Sequence, residues 1–353
     1  MRGYVLQEKG HAAWQEVPDP VIGPRDAVVR PTAVATCTTD VHMIATAAYP
    51  ALIGKVIGHE AVGVVEKVGE AVRDFRPGDR VVLPCGYSDW RHPRAQRGEG
   101  KYYQTNSPYF TDDPSHGGVF SELVRAFDAD ENLAHIPDAV ADLEAVMLPD
   151  MAATGFTGVE RMEIQYGETV LILGIGPVGL MGVAGAALRG AGRIIAVGSR
   201  PKTVELARQY GATDIIDYKN GPILDQVMAL TKGQPVDSVL IASGGEASEI
   251  FTTALKAVKF GGRAICVSGF LDEEAVTIPL EVWGYGFMDK FLTGALVKDG
   301  RDWLERLLLM IANKKLDTAP LISHVLHGWD SLEEGIELMR SRDPAVIKPV
   351  IVP

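Results

Sequence analysis

The run Thr169-Val170-Leu171-Ile172-Leu173-Gly174-Ile175-Gly176-Pro177-Val178-Gly179 decides the fold of this chain. Thr169–Leu173 is short, apolar and bounded by glycine, as a buried strand is, and Val178–Arg189 beyond it reads as a helix. Between them the glycines stand at the spacing G-x-G-x-x-G. In a strand–turn–helix setting the first glycine permits a tight turn and the second lets the backbone approach a pyrophosphate. The third lets helix and strand pack closely. The helix N-terminus then offers free amide donors to phosphate charge. Gly174, Ile175, Gly176, Pro177, Val178 and Gly179 are therefore the candidate dinucleotide contacts.

Outward from this run the grammar repeats. Strands are predicted at Arg193–Val197, Asp214–Asp217, Ser238–Ala242 and Arg263–Val267, and helices between them at Thr203–Tyr210, Ile223–Thr231 and Ser248–Val258. Strict alternation of strand and helix marks an α/β, doubly wound parallel sheet. The first 150 residues read differently. Ala27–Pro31, Ala61–Val68 and Arg80–Pro84 are short and Val-rich, and the turn signal Arg76-Pro77-Gly78-Asp79 precedes the third. From Gly86 to Gly118 no period survives, and this stretch reads as a long surface loop. Past about residue 296, Trp303, Leu304, Leu307, Leu308 and Ile311 are spaced for one buried helix face. Val346–Val352 reads as a last strand.

With 353 residues the chain suits two domains better than one core. A formal charge of −12 with dispersed Lys and Arg argues against a nucleic-acid partner, which calls for a clustered basic surface. The first ten residues hold no signal-peptide h-region. The most apolar stretch, Val170–Leu188, is broken by glycines and Pro177, so no membrane span is expected. Three separated cysteines, Cys37, Cys85 and Cys266, give no disulfide framework and suit a reducing cytoplasm.

The dinucleotide is chosen where the second strand ends. NAD-preferring sites place a carboxylate there to accept from the ribose 2′-hydroxyl. Here the strand runs into Gly198-Ser199-Arg200. Gly198 leaves room, Ser199 can donate a hydrogen bond, and Arg200 offers a forked, charge-assisted contact to a 2′-phosphate. Tyr218 follows the next strand and is placed to pack beside the adenosine end. The expectation is NADP(H).

Three metal-ligand candidates lie in the front part: Cys37, His59 and Asp150. Spacing alone does not bring them together. Cys37 reads equally as a small buried hydrophobe, His59 as a core imidazole, and Asp150 as an N-cap.

Longer patterns resolve the choice. Gly58-His59-Glu60-Ala61-Val62-Gly63, with Gly69 and Val72, resembles the signature Gly-His-Glu-x2-Gly-x5-Gly-x2-Val of the zinc-type alcohol dehydrogenases. Cys37-Thr38-Thr39-Asp40-Val41-His42 resembles the Cys-x-Ser/Thr-Asp-x-His segment of the medium-chain dehydrogenase superfamily. The likeness continues through Pro77-Gly78-Asp79-Arg80-Val81, the glycine run and Ile347-Lys348-Pro349-Val350, and so covers essentially the whole chain. Asp89-Trp90, Asp150-Met151, Thr154-Gly155-Phe156, Gly198-Ser199-Arg200 and Tyr218-Lys219-Asn220 are similar to the NADP-dependent secondary alcohol dehydrogenases within that family.

The resemblance implies a β-rich GroES-like catalytic domain of residues 1–152 and 296–353, and a Rossmann cofactor domain of residues 153–295. It implies one catalytic zinc on Cys37, His59 and Asp150, with Glu60 as an adjacent or exchangeable ligand. It makes Thr39 the group that takes the alcohol proton and His42 the one that carries it onward through the cofactor ribose. Many relatives carry a structural zinc on a four-cysteine lobe. The comparable loop 86–118 has no cysteine, so no structural zinc is expected, and His92 and His116 read as surface residues. Cys85, Phe110, Gly269 and Leu296 are implied around the substrate, Val267, Ser268 and Gly269 beside the nicotinamide, and Arg342 at a cofactor phosphate. Phe110 and Gly269 stand where relatives have Trp and Tyr, which predicts room for bulkier ketones. The implied activity is interconversion of secondary alcohols and ketones by a cytoplasmic homotetramer. A zinc-dependent polyol or threonine dehydrogenase, and a metal-free quinone or enoyl reductase on the same fold, are the alternatives.

Overall fold

A computed structural model describes residues 1–47, 50–102, 117–270, 274–298 and 300–353. The chain forms two compact units: Met1–Ala153 with Lys298–Pro353, and Thr154–Val297. These joints lie one and two residues from the expected ones.

In the second unit six strands form one parallel sheet. Their order is Asp214–Ile216, Arg193–Val197, Thr169–Leu173, Val236–Ile241, Val258–Cys266 and Phe291–Gly294. The chain reverses direction across the sheet between Thr169–Leu173 and Val236–Ile241, which is where a doubly wound sheet opens a crevice at its strand ends. Leu171, Ile195, Val239 and Ala264 are fully buried beneath the helices. Two features differ from the sequence reading. Val258–Cys266 begins five residues before Arg263, because Gly261-Gly262, a turn signal in sequence, is absorbed as an irregularity in the ladder to Val236–Ile241. The edge strand Phe291–Gly294 has no counterpart in that reading; it is four residues long and half-exposed.

The first unit holds a seven-stranded sheet. Ile322–His327, Lys348–Val352, Ala27–Ala35, Ala61–Val68, Arg80–Leu83 and Ala134–His135 follow one another, and Val124–Ala126 pairs with Ala27–Ala35. A separate hairpin, Arg2–Glu8 with His11–Glu16, and a helix, Leu332–Ser341, add elements that the sequence reading did not place. Leu6, Val29, Val34, Ile57, Phe120 and Ile351 form the core. Among the described residues no helix is long and apolar enough to cross a membrane.

Candidate active site

Strand register brings the front-unit candidates to one edge. Val34 is opposite Ala61 in one antiparallel ladder, and Ala35 is opposite Val350 in another. The Ala35 amide donates to the Glu60 carbonyl at 3.1 Å, and the Thr36 amide to the Pro349 carbonyl at 3.3 Å. The end of Ala27–Ala35 therefore lies beside the starts of both neighbouring strands, and Cys37, His59-Glu60 and Lys348 meet there. Asp150 arrives from the turn Leu148–Ala152, where the Ala152 amide reaches back five residues to the Met147 carbonyl. This wide π-type turn is a device frequent at functional sites.

Cys37, His59, Glu60 and Asp150 each offer one ligand atom, all within 4.8 Å of one another. Cys37 Sγ is 3.6 Å from Asp150 Oδ2, His59 Nε2 is 3.6 Å from the same oxygen, and His59 Nε2 is 3.5 Å from Glu60 Oε1. A tetrahedral zinc with ligand bonds of about 2.0–2.3 Å has ligand–ligand edges of about 3.3–3.8 Å. These three spacings fall within that range. Thiolate, imidazole and carboxylate are also the donor types zinc takes.

Asp40 fixes the imidazole. Its Oδ1 lies 3.1 Å from His59 Nδ1, and its Oδ2 accepts the Cys37 backbone amide at 2.9 Å. A carboxylate facing Nδ1 favours the tautomer that leaves the Nε2 lone pair for a metal. Lys348 is the second supporting group. It is 1% exposed, and its Nζ donates to Glu60 Oε1 at 2.6 Å. Glu60 Oε2 is buried and accepts no hydrogen bond from the described residues. A carboxylate oxygen left bare in the interior is costly unless something cationic completes it. That vacancy in the hydrogen-bond scheme, beside three other donors, fits a metal ion.

The electrostatics agree. Burial pushes the Cys37 thiol up, with Lys348 opposing. Burial likewise pushes Glu60 up to about 7, again against Lys348. Burial would also raise Asp150, but hydrogen bonding and charge from His59 outweigh it and hold the carboxyl below its usual range. Burial alone would lower Lys348; Cys37, Glu60 and Asp150 together keep it above its ordinary value. In their deprotonated, ligating forms these three acidic groups crowd around one lysine, a charge excess that a divalent cation removes.

The comparisons with known proteins point the same way. Residues 23–138 match the alcohol dehydrogenase GroES-like domain, and residues 177–308 match the zinc-binding dehydrogenase family. The chain is 46% identical over 352 residues to the NADP-dependent isopropanol dehydrogenase of Thermoanaerobacter brockii, covering 100% of this chain and 99% of the relative.

The chain belongs to the zinc-type alcohol dehydrogenase family.

A second relative in that family, the NADP-dependent isopropanol dehydrogenase of Clostridium beijerinckii, is 44% identical with 100% of both chains covered. Among solved structures, the alcohol dehydrogenase of Thermus sp. ATN1 superposes with a TM-score of 0.86 at 28% identity, over 100% of this chain and 99% of that one. The GroES-like and Rossmann-type architecture is that of the family.

The other residues expected at the site from the sequence have the following places. Thr39 lies in the first turn of helix Thr38–Thr46, its Oγ1 3.6 Å from Cys37 Sγ, and His42 is half-buried on the same helix. Cys85 is half-buried just after strand Arg80–Leu83, whose Leu83 pairs with Ala61. Phe110 and His116 lie outside the described residues. Arg342 is exposed at the C-terminus of helix Leu332–Ser341.

In the second unit, Gly176 caps helix Pro177–Leu188 with Pro177 in its first turn, and Ile175 is buried. Gly174 adopts φ +94°, and a Cβ on Gly179 would stand 1.9 Å from the Gly174 carbonyl oxygen. Strand and helix therefore pass as closely as the glycine pattern demands. A Cβ on Gly176 would meet nothing within 4 Å, so its backbone faces open space. This is what a pyrophosphate cradle calls for. Gly198 is buried, Ser199 and Arg200 are half-buried and Tyr218 is exposed. Burial lowers the Arg200 guanidinium, with Tyr218 opposing. Val267 and Ser268 are half-buried at the end of Val258–Cys266, whereas Gly269 and Leu296 are exposed.

Two supporting residues escaped the ligand search in sequence. Asp40 stands three residues after Cys37, the spacing of a capping box, and that spacing was its signal. Lys348 is a single cation in the apolar run Val346–Val352, where a buried charge must have a partner.

Proposed function

We propose that the chain interconverts secondary alcohols and ketones with NADP(H), using one zinc ion held by Cys37, His59 and Asp150, with Glu60 as an exchangeable ligand. The observation that carries this reading is the cluster of four ligand atoms within 4.8 Å, one of whose carboxylates has a buried oxygen with no hydrogen-bond partner among the described residues. Relatives bearing the name NADP-dependent isopropanol dehydrogenase at 46% and 44% identity support the substrate and cofactor.

Bound there, zinc supplies a Lewis acid that polarises an alcohol or carbonyl oxygen. NADP(H) supplies the hydride acceptor or donor. The chain's own residues do the rest. Asp40 orients His59, and Lys348 holds Glu60 by one oxygen. The Thr39 hydroxyl, beside Cys37 Sγ, takes the proton of the alcohol, and His42, three residues further along the helix, relays it. On the second unit Gly174–Gly179 receives the pyrophosphate. Ser199 and Arg200 receive the 2′-phosphate, and Tyr218 lies against the adenosine. This reading assigns Cys85, Phe110, Gly269 and Leu296 to the substrate, Val267, Ser268 and Gly269 to the nicotinamide, and Arg342 to a cofactor phosphate. The segment 86–118 has no cysteine, and this reading places no second zinc there. The reading includes a cytoplasmic location and a homotetramer, and sedimentation of the purified protein checks the second.

The deciding experiment is a substrate and cofactor panel on metal-quantified protein. One zinc per chain and turnover of propan-2-ol with NADP+ are expected, and Cys37→Ser and Asp150→Ala lose zinc and turnover together. Undiminished carbonyl reduction after complete chelation would overturn the mechanism and favour a metal-free reductase. Comparing kcat/KM for acetone and acetophenone tests the enlarged pocket; absence of aryl ketone turnover refutes it.

A further inference from the structure

Gly198 closes strand Arg193–Val197, at the position from which a carboxylate normally reaches the adenosine ribose. Its amide donates to the Ile216 carbonyl at 2.9 Å, so its backbone is tied to the next strand. The neighbouring loop is tied to the same strand, because the Gly174 amide donates to the Val197 carbonyl at 3.2 Å. Between these two anchored backbones lies the side chain of Ile175, which is 3% exposed. A Cβ added to Gly198 would stand 2.2 Å from Ile175 Cγ1 and 2.6 Å from its Cδ1. Real contacts are not that short. The clash begins at Cγ1, next to the branched Cβ, where an isoleucine has little rotational freedom.

From this we infer that Ile175 is a specificity-determining residue for the cofactor: by filling the space above Gly198, it bars any side chain, and hence any carboxylate, from that position. The inference rests on the NADP reading given above. Its content is distinct from that reading. The glycine loop is ordinarily credited with receiving the pyrophosphate through its backbone, whereas here a side chain of the loop governs what stands at the ribose end. Absence of a carboxylate at 198 is thus a consequence of packing with residue 175, and the two positions must change together for the site to accept NAD.

The test is a double-mutant cycle on the full chain: wild type, Ile175→Ala, Gly198→Asp and the pair, each assayed for kcat/KM with NAD+ and NADP+ and for Tm. Gly198→Asp alone is expected to lower Tm and gain little NAD+ activity. The pair is expected to recover part of that Tm loss and to exceed Gly198→Asp in NAD+ kcat/KM by about tenfold, the worth of one hydrogen bond to a charged acceptor. Additive Tm changes, or NAD+ activity of Gly198→Asp that does not change when Ile175→Ala is added, would overturn the inference. If Gly198→Asp does not fold, Gly198→Ala in the two backgrounds reads the same coupling in Tm, and additivity there counts equally against it. Wild-type kcat/KM that is equal for the two cofactors would instead defeat the NADP reading, and the Tm cycle would still judge the packing claim by itself.

Discussion

Asp40 holds two of the four candidate ligand residues at once, since one oxygen accepts from the Cys37 amide and the other faces His59 Nδ1. Asp40→Asn keeps the size and can keep the bond to Cys37, but it turns an NH2 group toward Nδ1. That favours the opposite tautomer, in which Nε2 carries the hydrogen and has no lone pair for a metal. Zinc affinity is expected to fall about 10–100-fold, as for other losses of a group that orients a ligand. Titration against a competing chelator measures it, and unchanged affinity would count against the tautomer argument. Cys37, His59, Glu60 and Asp150 were legible by type and by family pattern, yet Cys37 and Asp150 are 113 residues apart and nothing in their spacing says that they touch. The ladder register supplies that link. Lys348 shows the converse limit, because a lysine in a strand reads as an exposed residue until a buried partner 288 residues away is in view.

Helix Pro177–Leu188 and strand Thr169–Leu173 owe their spacing to Gly179. Gly179→Ala would place a methyl group against the Gly174 carbonyl oxygen, a backbone atom that cannot swing aside. Destabilisation of about 1–3 kcal/mol is expected, together with weaker NADP binding as the helix end backs away from the turn. Thermal unfolding and a binding titration read the two effects; a wild-type Tm would show that the close approach is not needed. These two elements were the most legible in the sequence because their signals are local: an apolar run, a glycine run and a long helical pattern. Phe291–Gly294 was not legible, because four residues carry no period and a parallel edge strand is defined by its partner. The hairpin strand Arg2–Glu8 was equally hidden. Four consecutive buried residues within it break the alternation by which a two-faced strand is recognised.

The first unit as a whole depends on how its buried charge is balanced. Without metal, Glu60 keeps a proton up to about pH 7 in the folded protein, above the ordinary carboxyl value, and the Cys37 thiol is also raised. A group raised by folding contributes stability that is fully present below its unfolded pKa and is lost as pH climbs through its folded one. For Glu60 that loss runs from its ordinary value of 4.5 up to about 7 and is complete above it, so the metal-free protein is expected to lose Tm between about pH 4.5 and pH 7. Zinc binds the deprotonated donors and removes this penalty. Because the thiol must release a proton to bind, affinity rises about tenfold per pH unit from Cys37 alone. The Tm difference between zinc-loaded and chelated protein should therefore widen across that same interval, with free zinc held constant by a metal buffer. Asp150 contributes nothing in this window, since its carboxyl is held below the usual range and titrates only in acid. Lys348→Met tests the balance from the other side. With the lysine gone, Glu60 loses the partner that opposes its protonation, so the metal-free protein should hold that proton to higher pH. The widening of the Tm difference should then keep its onset and continue to higher pH. A difference that stays constant with pH in wild type, or a profile unmoved by Lys348→Met, would show that the crowded carboxylates are not what links zinc to the stability of this unit.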